Sequence, residues 1–250
     1  MHLPDHHGGG GARRVMNEAG QFEFEEVPYR LVRSPRRKRL GLVMADSGVE
    51  VRIPERCAAR HGHRFLQENI HWVRTQLLRA RQRAAEIPQH RFAFGEYFPW
   101  LGRQLPLLRV ARAAEAGIDG HAIRLYTRYR EPDEAQLRAA LQRLYQREAL
   151  ALLTRRSTEL AGRLGLAFSS VRVRRTRSKW GHCTLRGELQ YNWLVCLAPE
   201  AVVDYLVAHE VCHLRHHNHS RAFWQLVASA CPDYRELRRW LRDNGHQLVL

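Results

Sequence analysis

The strongest constraint on the fold lies between Ala201 and Ser220. Ala201 to Ala208 is apolar with a helical pattern, and it runs straight into His209-Glu210-Val211-Cys212-His213. Positions four apart share a helix face, so His209 and His213 present ring nitrogens to one point, with Val202 and Leu206 on nearly the same face. Glu210 lies about 100° round the helix from His209, placed to hold a water rather than a metal. A helix this apolar is expected to be buried. A buried Glu210 without chemistry to perform would be a stranded carboxylate in an apolar setting. The fold must therefore bring two histidines and one acid to a common interior site. Two neutral imidazoles and a carboxylate base are the parts of a zinc hydrolase.

Such a site needs a third protein ligand and a position left for water. His216, His217 and His219 all follow within six residues of His213. His216 shares the face of His209 and His213, but on a straight helix it lies ~10.5 Å along the axis from His209. Zn–N bonds of ~2.0–2.1 Å cannot close over that span. The chain has to leave the helix and turn back, and Asn218 is a residue that tolerates a left-handed turn. This favours His219 as the third ligand over His216, with His217 the weakest candidate. The expected chemistry is a zinc-activated water attacking a carbonyl, with Glu210 as general base.

The rest of the chain reads as α+β. Residues 1–20 hold Gly8 to Gly11 and His2, His6 and His7 without periodicity, and are expected to form a flexible tail. Val27 to Val32, Leu40 to Met44 and Val49 to Ile53 alternate like strands, with Asp46-Ser47-Gly48 as a turn. Phe65 to Ile87 reads as one long amphipathic helix ended by Pro88. Strand character resumes over Arg91–Val110 and His121–Tyr129. A helix then opens at Glu131-Pro132-Asp133-Glu134 and runs to Leu164 before Gly165. The expected organisation is a β-rich N-terminal subdomain with one long helix over residues 21–130, then a compact catalytic domain over 131–250. Ser220 is expected to cap a helix bearing Phe223 and Trp224, and Asp233-x-x-Glu236 to form a capping box for the last one.

Composition narrows the partners. Net charge is +16, which raises nucleic acid as a partner. Yet only Lys38 and Lys179 are lysines, and the arginines are scattered, which fits a compositional bias better than a dedicated binding surface. Cys57, Cys183, Cys196, Cys212 and Cys231 are an odd number without paired spacing. That argues against a disulfide framework and for a reducing, cytoplasmic setting. No apolar run approaches the ~20 residues that span a bilayer, and Met1–Gly20 lacks the apolar core of a secretory signal.

Beyond the five-residue motif, a longer pattern is present. Arg177-Ser-Lys-Trp-Gly-His-Cys-Thr184, Asn192-Trp193-Leu194, Asp204 to Leu214, Asn218-His-Ser220, Phe223-Trp224 and Pro232-Asp-Tyr234 occur in that order. Together they resemble the YgjP-like metallopeptidases, compact zincins grouped with the SprT-like and Spartan-type proteases. The resemblance covers residues 22–245 and is densest from Val171 to Leu241.

It implies a zincin-like catalytic domain binding one zinc per chain through His209, His213 and His219, with Glu210 as base and a peptide or protein as substrate. It also implies that the strand around Asn192 and Trp193 flanks the site and offers its edge to a substrate backbone. His182 stands where the family usually has serine, and is either a cleft residue or an exposed substitution. Arg175 and Arg177, near the same turn, are candidates for binding an oxyanion or phosphate. Two alternatives come with the family: hydrolysis of a nucleotide or other phosphate substrate (members carry a UTP pyrophosphatase label), and a DNA-associated protease recruited by its basic surface.

Overall fold

The computed structural model describes residues 21–45, 48–176 and 178–250. The tail expected over 1–20, the turn residues Asp46 and Ser47, and Arg177 lie outside the described residues. The architecture is α+β and divides into two compact units, Met1–Ala85 and Glu86–Leu250.

In the first unit, strands β1 (Phe22–Phe24), β2 (Val27–Ser34), β3 (Gly41–Ala45) and β4 (Gly48–Pro54) form a sheet of order β1-β2-β4-β3. Strands β2 and β4 run parallel, and the other pairs are antiparallel. Alternation puts Val27, Tyr29, Val49, Val51 and Ile53 in the core, covered by Leu66 and Val73 from helices α1 (Ala59–Glu68) and α2 (Ile70–Ala85). The single helix expected over Phe65–Ile87 is thus two. Asn69 interrupts it with φ −114° and ψ 14°, and its Nδ2 donates back to the Phe65 carbonyl at 2.8 Å. Asparagine competes locally for backbone groups in this way, which is why it sits so readily at a helix break. The Glu50 carboxylate, buried within the same sheet, accepts from the guanidinium groups of Arg30 and Arg52.

The second unit begins well before residue 131. Strands β5 (Tyr97–Trp100), β6 (Arg103–Arg109), β7 (Gly117–Ile118) and β8 (Ile123–Leu125) form a sheet of order β5-β6-β8-β7. They share one core with helix α3 (Glu134–Leu164). Trp100 meets Tyr145 edge-on at 5.5 Å, and the Tyr145 hydroxyl donates to the Pro99 carbonyl at 2.7 Å. A boundary at 130/131 would cut through this packing, which is why the compact unit starts at Glu86 instead.

Helix α3 is delimited as its sequence dictates. Asp133 caps it reciprocally with Gln136, and Gly165 closes it with φ 62°. Strands β9 (Ser170–Arg174), β10 (Gly181–Cys183) and β11 (Glu188–Asn192) follow as a sheet of order β10-β11-β9. Here β11 is central, antiparallel to β10 and parallel to β9. Three helices complete the unit: α4 (Glu200–Cys212), α5 (Arg221–Ala230) and α6 (Tyr234–Asn244). Ser220 caps α5 by accepting from the Phe223 amide. Asp233 precedes α6 but makes no side-chain cap, because its φ of −84° and ψ of 15° differ from the extended conformation of an N-cap.

Helix α4 is apolar on nearly every side, the pattern of a helix inside a core. Val202, Val203, Leu206, Val207, Ala208, Val211 and Cys212 are all buried. Its position is fixed from α3 by Arg156, which bonds Asp204 at 2.9 Å and also meets Glu200. It is fixed from β5–β6 by Gly102, whose φ is 77° and where a Cβ would sit 2.9 Å from Pro199 Cα. Among the described residues no helix is long and apolar enough to cross a membrane.

Candidate metal centre

Helix α4 ends at Cys212, and its C-cap His213 keeps helical dihedrals, φ −65° and ψ −19°. The chain then tightens into i→i+3 bonds, Leu214 to Val211 and Arg215 to Cys212, and doubles back. Asn218 is not left-handed; among the described non-glycine residues positive φ occurs at Glu25, Glu26, Phe92 and Leu101. The return is held instead by the Asn218 side chain, whose Oδ1 accepts from the Ser220 amide at 3.2 Å. This brings His219 back over α4.

His209 Nε2 lies 3.3 Å from His213 Nε2 and 3.1 Å from His219 Nε2. One ring nitrogen carries either a single N–H or a single in-plane lone pair, so it cannot bond two such partners at once. Donors around a tetrahedral zinc, by contrast, sit about 3.3 Å apart when each bond is about 2.0–2.1 Å. Among the described residues these three histidines form the one group of metal-ligating type, with donor atoms within 4.8 Å of one another. The donor set fits a metal.

The protonation states fit as well. His213 Nδ1 is 2.9 Å from the His216 carbonyl, so Nδ1 carries the proton and Nε2 the lone pair. His216 thus contributes its backbone, not its ring. Burial, then the neighbouring histidines and Arg238, push the His209 imidazole down to about 3, and burial lowers His213 too. Both rings are neutral near pH 7, the form that ligates. Phe223 and Trp224 orient the rings from behind. His213 stacks on Phe223 at 4.4 Å and His219 on Trp224 at 5.5 Å.

Glu210 is buried, and burial pushes its carboxyl up to about 8 against the pull of Lys179. Its carboxylate packs on Gly181 of β10 so closely that a Cβ there would lie 2.2 Å from Oε1. Only glycine permits this approach.

A cleft of about 1040 Å³ opens onto Glu210 and the three histidines. One wall is β10 and the loop after it; Tyr205 of α4 and Arg238 and Arg242 of α6 line other parts. Among the described residues β10 pairs only with β11, so its other edge is open beside Glu210.

The remaining sequence candidates divide. His182 lies on β10, exposed and lining the cleft, outside the histidine triad. Asn192 and Trp193 are 4% and 1% exposed, and β11 is flanked on both sides by β10 and β9, so the unpaired strand edge is that of β10. Asn192 instead ties down the preceding loop, its Nδ2 donating to the Thr176 carbonyl at 3.1 Å. Arg175 lines a separate depression with Thr176, Ser178 and Asn192. Gly181, Trp224, Tyr205 and Arg238 are site residues that motif spacing alone did not reveal. The Trp-Gly dipeptide and the Phe-Trp pair after Ser220 were the available signals.

Three convergent imidazoles beside a buried carboxylate, at the base of a cleft, form the constellation of a metal-dependent hydrolase. The chain belongs to the YgjP-like metallopeptidase family, whose metallopeptidase-domain model matches residues 38–244. A comparison with curated proteins finds no match. Among solved structures, the crystal structure of the metallopeptidase zymogen of Pyrococcus abyssi abylysin is 21% identical. It covers 39% of this chain and 99% of its own, with a TM-score of 0.35. The assignment rests on the family model.

Proposed function

We propose that this metallopeptidase is a zinc-dependent peptidase, with His209, His213 and His219 as ligands and Glu210 as general base. The observation that carries the reading is the convergence of three imidazole donors, with His213 Nε2 and His219 Nε2 3.3 and 3.1 Å from His209 Nε2, beside a carboxylate held against Gly181. A metal bound there supplies a Lewis acid and a water of lowered pKa. The chain's own residues do the rest. Glu210, held in place against Gly181, is positioned to take a proton from water and return it to a leaving amine. The open edge of β10 is suited to align an extended peptide by backbone hydrogen bonds, and the aromatic shelf of Phe223 and Trp224 keeps the imidazoles from turning away.

That open edge also favours a peptide over a nucleotide, since it offers alternating backbone donors and acceptors, while the described residues lining the cleft include no glycine-rich phosphate loop. Recruitment to DNA rests on net charge alone. Five free cysteines support a reducing, cytoplasmic setting.

Metal analysis of the purified wild type beside His219→Ala and His216→Ala tests the ligand set. We expect about one zinc per chain in the wild type and in His216→Ala, and a large loss in His219→Ala. Full zinc in His219→Ala with loss in His216→Ala would reverse the assignment.

A further inference from the structure

We propose that the cleft selects substrates carrying a carboxylate near the scissile bond, and that Arg238 is the specificity-determining residue that binds it. The inference rests on the peptidase reading above and names its substrate class.

Arg238 lies on α6 and lines the cleft with His209, Glu210 and His219. Its guanidinium carbon sits 4.9 Å from the Trp224 ring centroid, and the same indole stacks on His219 at 5.5 Å and 22°. One side chain thus orients both a candidate ligand and a cation beside it. A guanidinium over an indole gains cation–π attraction while its N–H edge stays free.

Abundant arginine is not itself a signal in this chain, so the contrast with other arginines matters. Arg156 pairs with Asp204 and Glu200, Arg124 with Asp119, Arg172 with Glu188 and Arg242 with Asp243. Arg238 is exposed, and no ion pair or hydrogen bond engages it among the described residues. The acids lining the cleft are Glu188 and Glu210; the first is committed to Arg172 and the second is buried against Gly181. Lys179 and Arg186 also line the cleft, but of the cleft cations it is Arg238 that is seated on an aromatic ring, so an incoming carboxylate meets a pre-oriented cation with no competing acid. Guanidinium matches carboxylate in bidentate geometry. The carboxylate comes either from a Glu or Asp side chain or from the free C-terminus of the peptide.

The test uses zinc-loaded full-length protein and peptide pairs that differ in one group. One pair carries Glu or Gln beside the scissile bond with an amidated C-terminus. The other lacks acidic side chains and ends in a free acid or an amide. The wild type is expected to prefer the acid of at least one pair by about tenfold in kcat/KM, mainly through KM. Which pair shows it identifies the carboxylate. Arg238→Gln should collapse that ratio, Arg238→Lys should keep part of it, and Arg239→Gln, an equal change of charge on the same helix, should keep it all. The preference should also fade as salt is raised.

Equal ratios in wild type and Arg238→Gln overturn the inference. So does a fall in kcat that is the same for acidic and neutral peptides, which would mark an oxyanion role instead. If the wild type cuts no peptide, the peptidase reading fails separately. Fluorescence anisotropy of the labelled peptides on Glu210→Gln protein then decides: tighter binding of the acid, lost in the Glu210→Gln/Arg238→Gln double variant, sustains the carboxylate site, and equal binding removes it.

Discussion

At the scale of single residues, the site depends on one missing side chain as much as on those present. Glu210 and Gly181 are 29 positions apart in sequence, yet their packing leaves no room for a methyl group. Gly181→Ala is expected to displace the carboxylate and not the imidazoles. Peptide hydrolysis should fall by about a hundredfold or more, as small misplacements of a catalytic group do, while zinc content stays at the wild-type level. Wild-type turnover in Gly181→Ala would remove this contact from the account. The histidines and Glu210 were legible because their spacing follows helix geometry. Gly181 was not, since nothing local states what a glycine must leave room for. Asn218 shows the opposite failure: its place in the turn was legible, but it works through an Asx-type side-chain bond rather than a left-handed backbone.

At the scale of elements, the helices that begin with a cap and end with glycine were readable, and those broken internally were not. Helix α3 carries both signals, Asp133 and Gly165, at its observed ends. Asp133→Ala is expected to lower stability by about 1 kcal/mol, measured as a reduced urea midpoint with an unchanged slope. No change would show that the capping box is dispensable. In the first unit, the apolar period runs on across Asn69, so the break between α1 and α2 stayed hidden. Strand order was equally opaque. Local alternation identifies β11 as a strand but cannot say that β10 and β9 occupy both its edges. That is why the unpaired edge lies at Gly181 and its neighbours rather than at Asn192.

At the scale of the whole molecule, the two units keep separate cores, and the boundary near residue 85 reflects the long reach of α3. Its N-terminal half buries Leu137, Leu141 and Tyr145 with the strands that precede it, a contact no composition shift marks. The first unit carries its own pH sensitivity. Hydrogen bonds from Arg30 and then Arg52 hold the Glu50 carboxyl below its usual range, outweighing burial. A carboxyl lowered in the folded state contributes stability above its unfolded pKa of about 4.3, and that contribution is lost as pH falls through the folded value. Glu50→Gln should therefore cost about 1–2 kcal/mol at pH 7, a value discounted because both arginines are partly exposed. The cost should shrink below pH 4, followed by hydrogen exchange of the β4 amides. A cost that is constant with pH would assign the effect to packing.

All three scales meet where the histidine triad of His209, His213 and His219 adjoins the buried Glu210. The most direct test is peptide hydrolysis by Glu210→Gln beside the wild type, with zinc measured in the same samples. The expected result is equal zinc and turnover reduced by at least about a hundredfold, the scale of lost general-base catalysis. Equal zinc with wild-type turnover would contradict the role given to Glu210 and the hydrolytic mechanism built on it.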